Sequence, residues 1–402
     1  MQVQTRRRPA SLDPTDPPFS PAPMGARGRS RRDGGTRTSR RRKRPDPLWA
    51  RLTVILGALL MMASGGAIVG SKALIGQLTS GITQDNLLGD AGKTDAEGGA
   101  SLDGPIDLLL LGLDLRTGWD KNNTRADTII ILHVPATHDQ AYLLSIPRDT
   151  IVDIPRFEKS HYGGGRDKIN AAFYFGAQNG AGWSGGAQLM AQTIKRVTGI
   201  SFDGAGIIDF AGFKGVIDAL GTVHMCVDHE VKSVHYLYVD GKVTYVADAK
   251  KMSGHKEPVV YEVGCREMKG WEALDYSRQR YGLPNSDYDR QRHQQQLIKA
   301  MAKKAMSTGV VTNPLKLRKI LDAAGKAFTL DTGGVPIDDF IFTLKGVAAN
   351  DLVLLRTNNG TFASVQGGEG LTDTTMAMFR AVKSDTLAQF IAANPSVLAN
   401  EK

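Results

Sequence analysis

The sequence predicts an α/β protein in which one N-terminal transmembrane helix precedes a single domain with a central mixed β-sheet flanked by helices. Three observations carry that expectation. Leu52 to Ser71 (LTVILGALLMMASGGAIVGS) hold no charged residue and follow a strongly basic segment. Further on, continuous apolar runs such as Ile106 to Leu113 (IDLLLLGL) suit strands buried on both faces. Between and after such runs, apolar residues recur at helical spacing, so strands and helices alternate irregularly in the manner of an α/β layer.

Twenty helical residues rise about 30 Å, enough to cross the hydrocarbon core of a bilayer. Residues 1–51 hold fourteen Lys and Arg against four Asp. Basic flanks stay on the cytoplasmic side. The expectation is a disordered cytoplasmic tail over 1–51, a span over 52–71 and an extracytoplasmic remainder. An uncleaved anchor fits better than a signal peptide, whose apolar core is usually about 7–15 residues long and closer to the N-terminus. The chain has 50 Lys and Arg against 41 Asp and Glu, and without the tail 36 stand against 37. The basic surplus therefore belongs to the tail. A topology signal explains it without nucleic acid, and no nucleic-acid partner is expected. A membrane-bound transcriptional regulator using the tail is the competing reading.

Residues 72–104 read as a short helical continuation and a linker, because GDAGKTDAEGGASLDG offers little to bury. The folded domain is expected over 105–393, with a C-terminal tail over 394–402. Its first strand is Ile106 to Leu113. Thr128 to Val134 and Ala141 to Ile146 are two more, joined as a hairpin by the short polar link PATHDQ. Ser184 to Val197 reads as a helix capped by Ser184, with Gly199 just past its end. Gly206 to Phe210 reads as a strand, and Phe213, Val216, Ile217 and Leu220 then repeat at helical spacing up to Gly221. Later helices are expected at Trp271 to Ser277, Gln291 to Met306 and Thr374 to Ala393, with a strand at Asp351 to Thr357. Gly163 to Gly165 reads as a mobile loop.

Several catalytic signatures are missing: there is no P-loop, no HExxH and no CxxC. Gly182-Trp183-Ser184-Gly185-Gly186 matches the GxSxG elbow of hydrolases, but that elbow needs a strand directly before the serine, and FGAQNGAG is not one. The eight histidines show no metal-ligand spacing. What remains is a set of acids and arginines near strand ends. Asp114 and Arg116 follow the first strand, Arg125 and Asp127 precede the second, and Arg148 and Asp149 follow the third. Lys168 and Asn170 lie in KIN. Arg278 and Arg280 close ALDYSRQR, and Asp287, Arg290 and Gln294 fall in SDYDRQRHQQQ. Residues 290 and 294 are four apart and share a helix face. Ligands of open sheets sit at strand ends. Guanidinium forks fit phosphate oxygens, and Mg²⁺ takes one or two carboxylates together with phosphate oxygens. The pattern describes a diphosphate–metal site.

At these residues the chain resembles the LytR-CpsA-Psr (LCP) family of bacterial cell-wall enzymes. The stretches LLLLGLDLR, TRADTIIIL, LLSIPRDTIVDIP, KINAAF, FKGVIDALGTV, WEALDYSRQR and DYDRQRHQQQ match in order and cover nearly the whole expected domain. The resemblance implies an LCP-like domain and a Mg²⁺-dependent phosphotransferase. Its substrates would be a polyprenyl diphosphate-linked glycopolymer and peptidoglycan. Asp114 and Asp127 would serve the metal and the acceptor. Arg125, Arg148, Arg278, Arg280 and Arg290 would hold the diphosphate, with Arg116 and Lys168 beside them. Asp287 and Gln294 would orient the last arginines, and the lipid tail would lie in an apolar pocket under the helices. The chain departs from the family pattern at His293, where an Arg is usual, and at Thr222, where a Gly is usual. The departure at His293 puts one phosphate contact in doubt. Phosphoryl transfer needs positioning and charge neutralisation more than a protein nucleophile, and none is expected. A lipid-diphosphate binder or a diphosphatase would share the site. The two cysteines, Cys226 and Cys265, are expected to form a disulfide, which export permits; two buried thiols are the alternative.

Overall fold

The computed structural model describes residues 83–99, 101–115, 122–310, 314–325, 328–345, 347 and 352–399. The basic tail, the expected span over 52–71 and Arg116 lie outside the described residues. Among those described, no helix is long and apolar enough to cross a membrane. All of them belong to one unit, Ala63–Lys402.

The fourteen strands used below are β1 (Thr83–Gln84), β2 (Ile106–Leu113), β3 (Ala126–Val134), β4 (Ala141–Ser145), β5 (Ile151–Ile154), β6 (Gly165–Lys168), β7 (Gly204–Asp209), β8 (Val223–Val227), β9 (Val231–Val239), β10 (Lys242–Tyr245), β11 (Lys256–Tyr261), β12 (Gly264–Met268), β13 (Phe328–Asp331) and β14 (Leu352–Leu355). The main sheet has seven strands in the order β1-β13-β7-β2-β3-β4-β14. It is mixed: β2 runs antiparallel to β3 and β3 to β4, whereas β7 is parallel to β2 and β14 to β4. The expected hairpin across residues 135–140 is the β3–β4 pair.

Period-two alternation sends the side chains of β2 and β3 to both faces of the sheet. Leu109, Leu111, Ile129 and Ile131 are buried against α1 (Ala171–Gly176), α2 (Gly182–Thr198) and the later helix carrying Phe379. Leu108, Leu110, Ile130 and Leu132 face the opposite layer with Ile298 and Phe340. Burial on both sides is why these strands read as unbroken apolar runs. A third cluster joins α3 (Phe210–Leu220), α4 (Gly270–Arg278) and α5 (Asp287–Ser307) to β8, β9 and β11 through Ile217, Met225, Tyr261, Tyr276 and Leu297.

Five expectations are corrected. Residues 83–99 and 101–104 of the expected linker belong to the fold: Leu87 is fully buried, and Lys93 pairs with buried Asp203 at 2.7 Å. Likewise residues 394–399 pack down, with Ala399 N–H donating to the Leu354 carbonyl at 2.9 Å and Val397 buried. Ser184 is not a cap. The helix starts two residues earlier, after Ala181, because α2 packs on α1 through glycines: a Cβ on Gly186 would stand 2.8 Å from the Phe173 carbonyl oxygen. Finally, the expected helix over 374–393 is two helices, Asp373–Lys383 and Leu387–Ala393, broken where Asp385 takes φ +53°. Gly165 also opens β6, paired with β5, instead of lying in a loop.

Cys226 and Cys265 face each other across the β8–β12 pair and are bonded. They stand 39 positions apart, a closure worth about 4 kcal/mol in the chain-entropy model. Replacing both by Ser should lower the unfolding free energy by about that much and steepen its dependence on denaturant, because the uncrosslinked unfolded chain exposes more surface; an unchanged unfolding free energy would show that the bond contributes nothing.

Candidate active site

One edge of the main sheet gathers the acids and the first arginine. Because β2, β3 and β4 alternate in direction, the end of β2, the start of β3 and the end of β4 lie along the same edge, with Leu113 opposite Ala126. Asp114, Asp127 and Arg148 follow directly from that arrangement. The last turn of α4 adds Arg278, the segment after it Arg280, and the first turns of α5 add Asp287, Arg290 and Gln294. Asp114, Asp127, Arg148, Arg278, Arg280, Arg290 and Gln294 line one cleft of about 310 Å³.

Each carboxylate in the cleft meets a guanidinium. Arg148 Nη1 stands 3.1 Å from Asp127 Oδ1, and Arg278 Nη2 stands 3.1 Å from Asp114 Oδ1. Asp287 Oδ1 pairs with Arg290 Nη2 at 2.8 Å and lies 3.7 Å from Arg148 Nε. Arg290 also donates to the Asp127 carbonyl at 3.1 Å. Burial works against the charge of Arg148, yet Asp127, Asp287 and Asp149 outweigh it and raise its pKa. Arg290 is more deeply buried, 6% exposed, and burial together with nearby Arg148 lowers its pKa despite Asp287. The buried Nε of both Arg148 and Arg290 lacks a hydrogen-bond partner among the described residues. Arg148, Arg278 and Arg290 thus pair with carboxylates, whereas Arg280 donates to the Tyr281 hydroxyl at 2.7 Å. A multiply charged anion with several acceptor oxygens would complete them.

Beside the cleft, an apolar pocket of about 210 Å³ lies between the sheet and α3, α4 and α5. Leu110, Ile130, Ile208, Phe213, Leu274, Leu297 and Phe328 line it, and Arg278 and Gln294 border both spaces. A Cβ on Gly112 would stand 2.8 Å from the Thr128 Cβ, so the glycine lets the two strands close there.

Other anticipated residues lie at the margin. Arg125 is exposed and donates to Asn170 Oδ1 at 3.4 Å, and Asn170 in turn donates to Asp127 Oδ1 at 3.4 Å. Lys168 pairs with Asp149 at 2.7 Å and does not line the cleft. His293 faces the other way: it is fully buried, stacked on Tyr276, with Nε2 3.1 Å from Asp228 Oδ1. Burial pushes the Asp228 carboxyl up, but His293 and Arg292 outweigh that and hold it well below the usual carboxylate range. Thr222 bonds Glu267 at the surface. His235 and Tyr281, which sequence reasoning missed, also line the cleft. No local spacing announces His235, since its partner Asp275 lies 40 positions away in the chain.

The model of the LytR_cpsA_psr family matches residues 77–374. The chain belongs to this family. Among its LCP relatives, it is 32% identical over 219 residues to the probable cell wall biosynthesis protein LcpB of Corynebacterium glutamicum, covering 54% of this chain and 44% of that one. LcpA of the same organism is 27% identical over 354 residues, 79% of this chain and 60% of the relative. The chain thus spans about half the length of these two LCP relatives. The polyisoprenyl-teichoic acid–peptidoglycan teichoic acid transferase TagU of Oceanobacillus iheyensis is 30% identical over 298 residues, 73% of this chain and 80% of the relative. The crystal structure of protein gbs0355 from Streptococcus agalactiae has the same fold, with a TM-score of 0.54 at 20% identity, covering 70% of this chain and 88% of that one.

Proposed function

We propose that this LCP protein is a phosphotransferase that attaches a glycopolymer, carried on a polyprenyl diphosphate, to peptidoglycan. The observation that carries the reading is an arginine-rich cleft and an apolar pocket that share Arg278 and Gln294 as wall residues. A lipid diphosphate is the chemistry that needs both: forked cations for its phosphates and an apolar wall for its chain. TagU, named as a polyisoprenyl-teichoic acid transferase, supports the choice of substrate class.

On this reading Arg148 and Arg290 hold the diphosphate from the sheet side, and Arg278 and Arg280 hold it from the α4 side. Asp287 keeps Arg148 and Arg290 turned toward each other. The acceptor hydroxyl attacks the phosphorus next to the sugar, the bond to the bridging oxygen breaks, and polyprenyl phosphate leaves. Charge spreads over the phosphate oxygens in such a step, so prepositioned cations are the main protein contribution. Asp114 and Asp127 fit a Mg²⁺ site: both line the cleft, and each side chain is 22% exposed. Two carboxylates suffice when phosphate oxygens complete the shell. The ion would neutralise charge on the diphosphate.

The membrane assignment belongs to the same proposal, with residues 52–71 as the span and the cleft outside the cell. Protease added to intact wall-stripped cells should digest the large domain and spare the basic tail. Full protection of the domain would refute that topology. The substrate class is tested by mass spectrometry of lipid extracted with the detergent-solubilised protein. Polyprenyl diphosphates bearing sugar are expected to be enriched over an Arg148→Ala, Arg290→Ala double variant. Equal recovery from both would remove the substrate assignment.

A further inference from the structure

The proposed transfer needs a destination for the acceptor's proton, because a sugar hydroxyl stays protonated at neutral pH. Asp114 and Asp127 already accept Arg278 and Arg148. Among the described residues, the cleft wall also carries an imidazole. His235, in β9, lines the cleft with 28% of its side chain exposed. Its Nδ1 stands 2.8 Å from Oδ1 of Asp275, in α4, whose side chain is fully buried.

Asp275 is itself fixed from three sides. Tyr261 O–H donates to its Oδ2 at 2.7 Å, Gln279 Nε2 donates to its Oδ1 at 2.8 Å, and the histidine meets the same Oδ1. Gln279 is locked in turn by the Val234 N–H, which donates to its Oε1 at 3.2 Å. Burial and the charge of Asp275 push the Tyr261 hydroxyl far up, so it remains a donor. A carboxylate held in this way keeps the proton of a neutral imidazole on Nδ1 and leaves Nε2 for the cleft. The ring is thus held in place at Nδ1, by Asp275 and by Gln279 Nε2 at 3.3 Å, before substrate arrives.

We infer that His235 is the general base of the transfer and that Asp275 is the residue that positions it. This rests on the phosphotransferase reading. As the acceptor oxygen bonds to phosphorus, its proton passes to Nε2. The electron pair of the breaking P–O bond goes to the bridging oxygen, and polyprenyl phosphate leaves. The imidazolium, stabilised by Asp275, then releases its proton to water. Nothing else need be consumed.

The test uses the full chain in detergent, a polyprenyl diphosphate-linked sugar as donor and peptidoglycan as acceptor, with donor binding and transfer measured separately. His235→Ala should lower kcat about 100-fold while donor affinity stays within about threefold, and added imidazole should restore part of the rate. His235→Gln, which can still hydrogen-bond Asp275, should fold normally and be as slow without responding to imidazole. Asp275→Asn should lower kcat with donor binding kept. A kcat for His235→Gln within about twofold of wild type, or a loss matched by lost donor binding, would overturn the dyad. If wild type binds donor and transfers but His235 is indifferent, only this inference falls. If wild type neither binds nor transfers, the phosphotransferase reading falls and takes the dyad with it.

Discussion

Arg148→Ala and Arg290→Ala should each lower the transfer rate about a hundredfold or more, an effect of about 3 kcal/mol on the transition state. The two residues are 142 positions apart in sequence, yet both pair with Asp287 Oδ1, at 3.7 and 2.8 Å. Their unbonded Nε atoms are buried, so neither guanidinium is a solvated surface group. A surface arginine removed to alanine would change stability by under about 0.5 kcal/mol and leave the rate alone. Lysine should rescue poorly, since it keeps the charge and loses the fork. The double variant should be little worse than either single one, because both act on one group. Thermal melting of each variant separates lost chemistry from lost fold. Near wild-type rates for both folded single variants would show that the cleft is not where the diphosphate reacts.

Asp127→Ala should abolish transfer while the fold persists. Its carboxylate meets Arg148 and Asn170 at the sheet edge. The strand stays anchored by its ladder and by Ile129, Ile130 and Ile131, which are buried. Chelation by EDTA should abolish activity in the wild type too, and Mg²⁺ should restore it. In Asp127→Ala, Mg²⁺ should restore nothing. A wild-type enzyme that works at full rate in EDTA would rule out the metal, and an active Asp127→Ala would rule out this carboxylate.

Five strands of the main sheet, β2, β3, β4, β7 and β14, were legible from their apolar runs, whereas β1, an exposed pair of residues, and β13, half-buried over four residues, were not. Ile106–Leu113 can be read from composition alone, and Gly199 and Gly221 mark their helix ends with φ of +75° and +94°. The smaller sheets were not legible. The strand β8 alternates buried and exposed side chains over only five residues, VHMCV, and its partner β12 begins 37 positions after β8 ends. Pairing of that kind is fixed by tertiary contact and leaves little local pattern. The same limit applies within the cleft. Asp114, Asp127 and Arg148 could be placed together because alternating strands share an edge. That Arg125 and Lys168 stop at the margin depends on Asn170 and Asp149, which local pattern does not orient. His293 turns inward because it sits about 100° around the helix from Gln294, and that rotation carries it to Asp228 and Tyr276. His235 was invisible for the reason β9 was: the residue that gives it a role lies on a helix reached only through the fold.

The most direct measurement is single-turnover transfer from a radiolabelled, polyprenyl diphosphate-linked sugar to peptidoglycan by the purified protein with Mg²⁺. Label covalently attached to peptidoglycan through a phosphodiester, with one polyprenyl phosphate released per transfer, is the expected result. Tight binding of the donor without turnover, or release of sugar phosphate to water with no label on peptidoglycan, would contradict it.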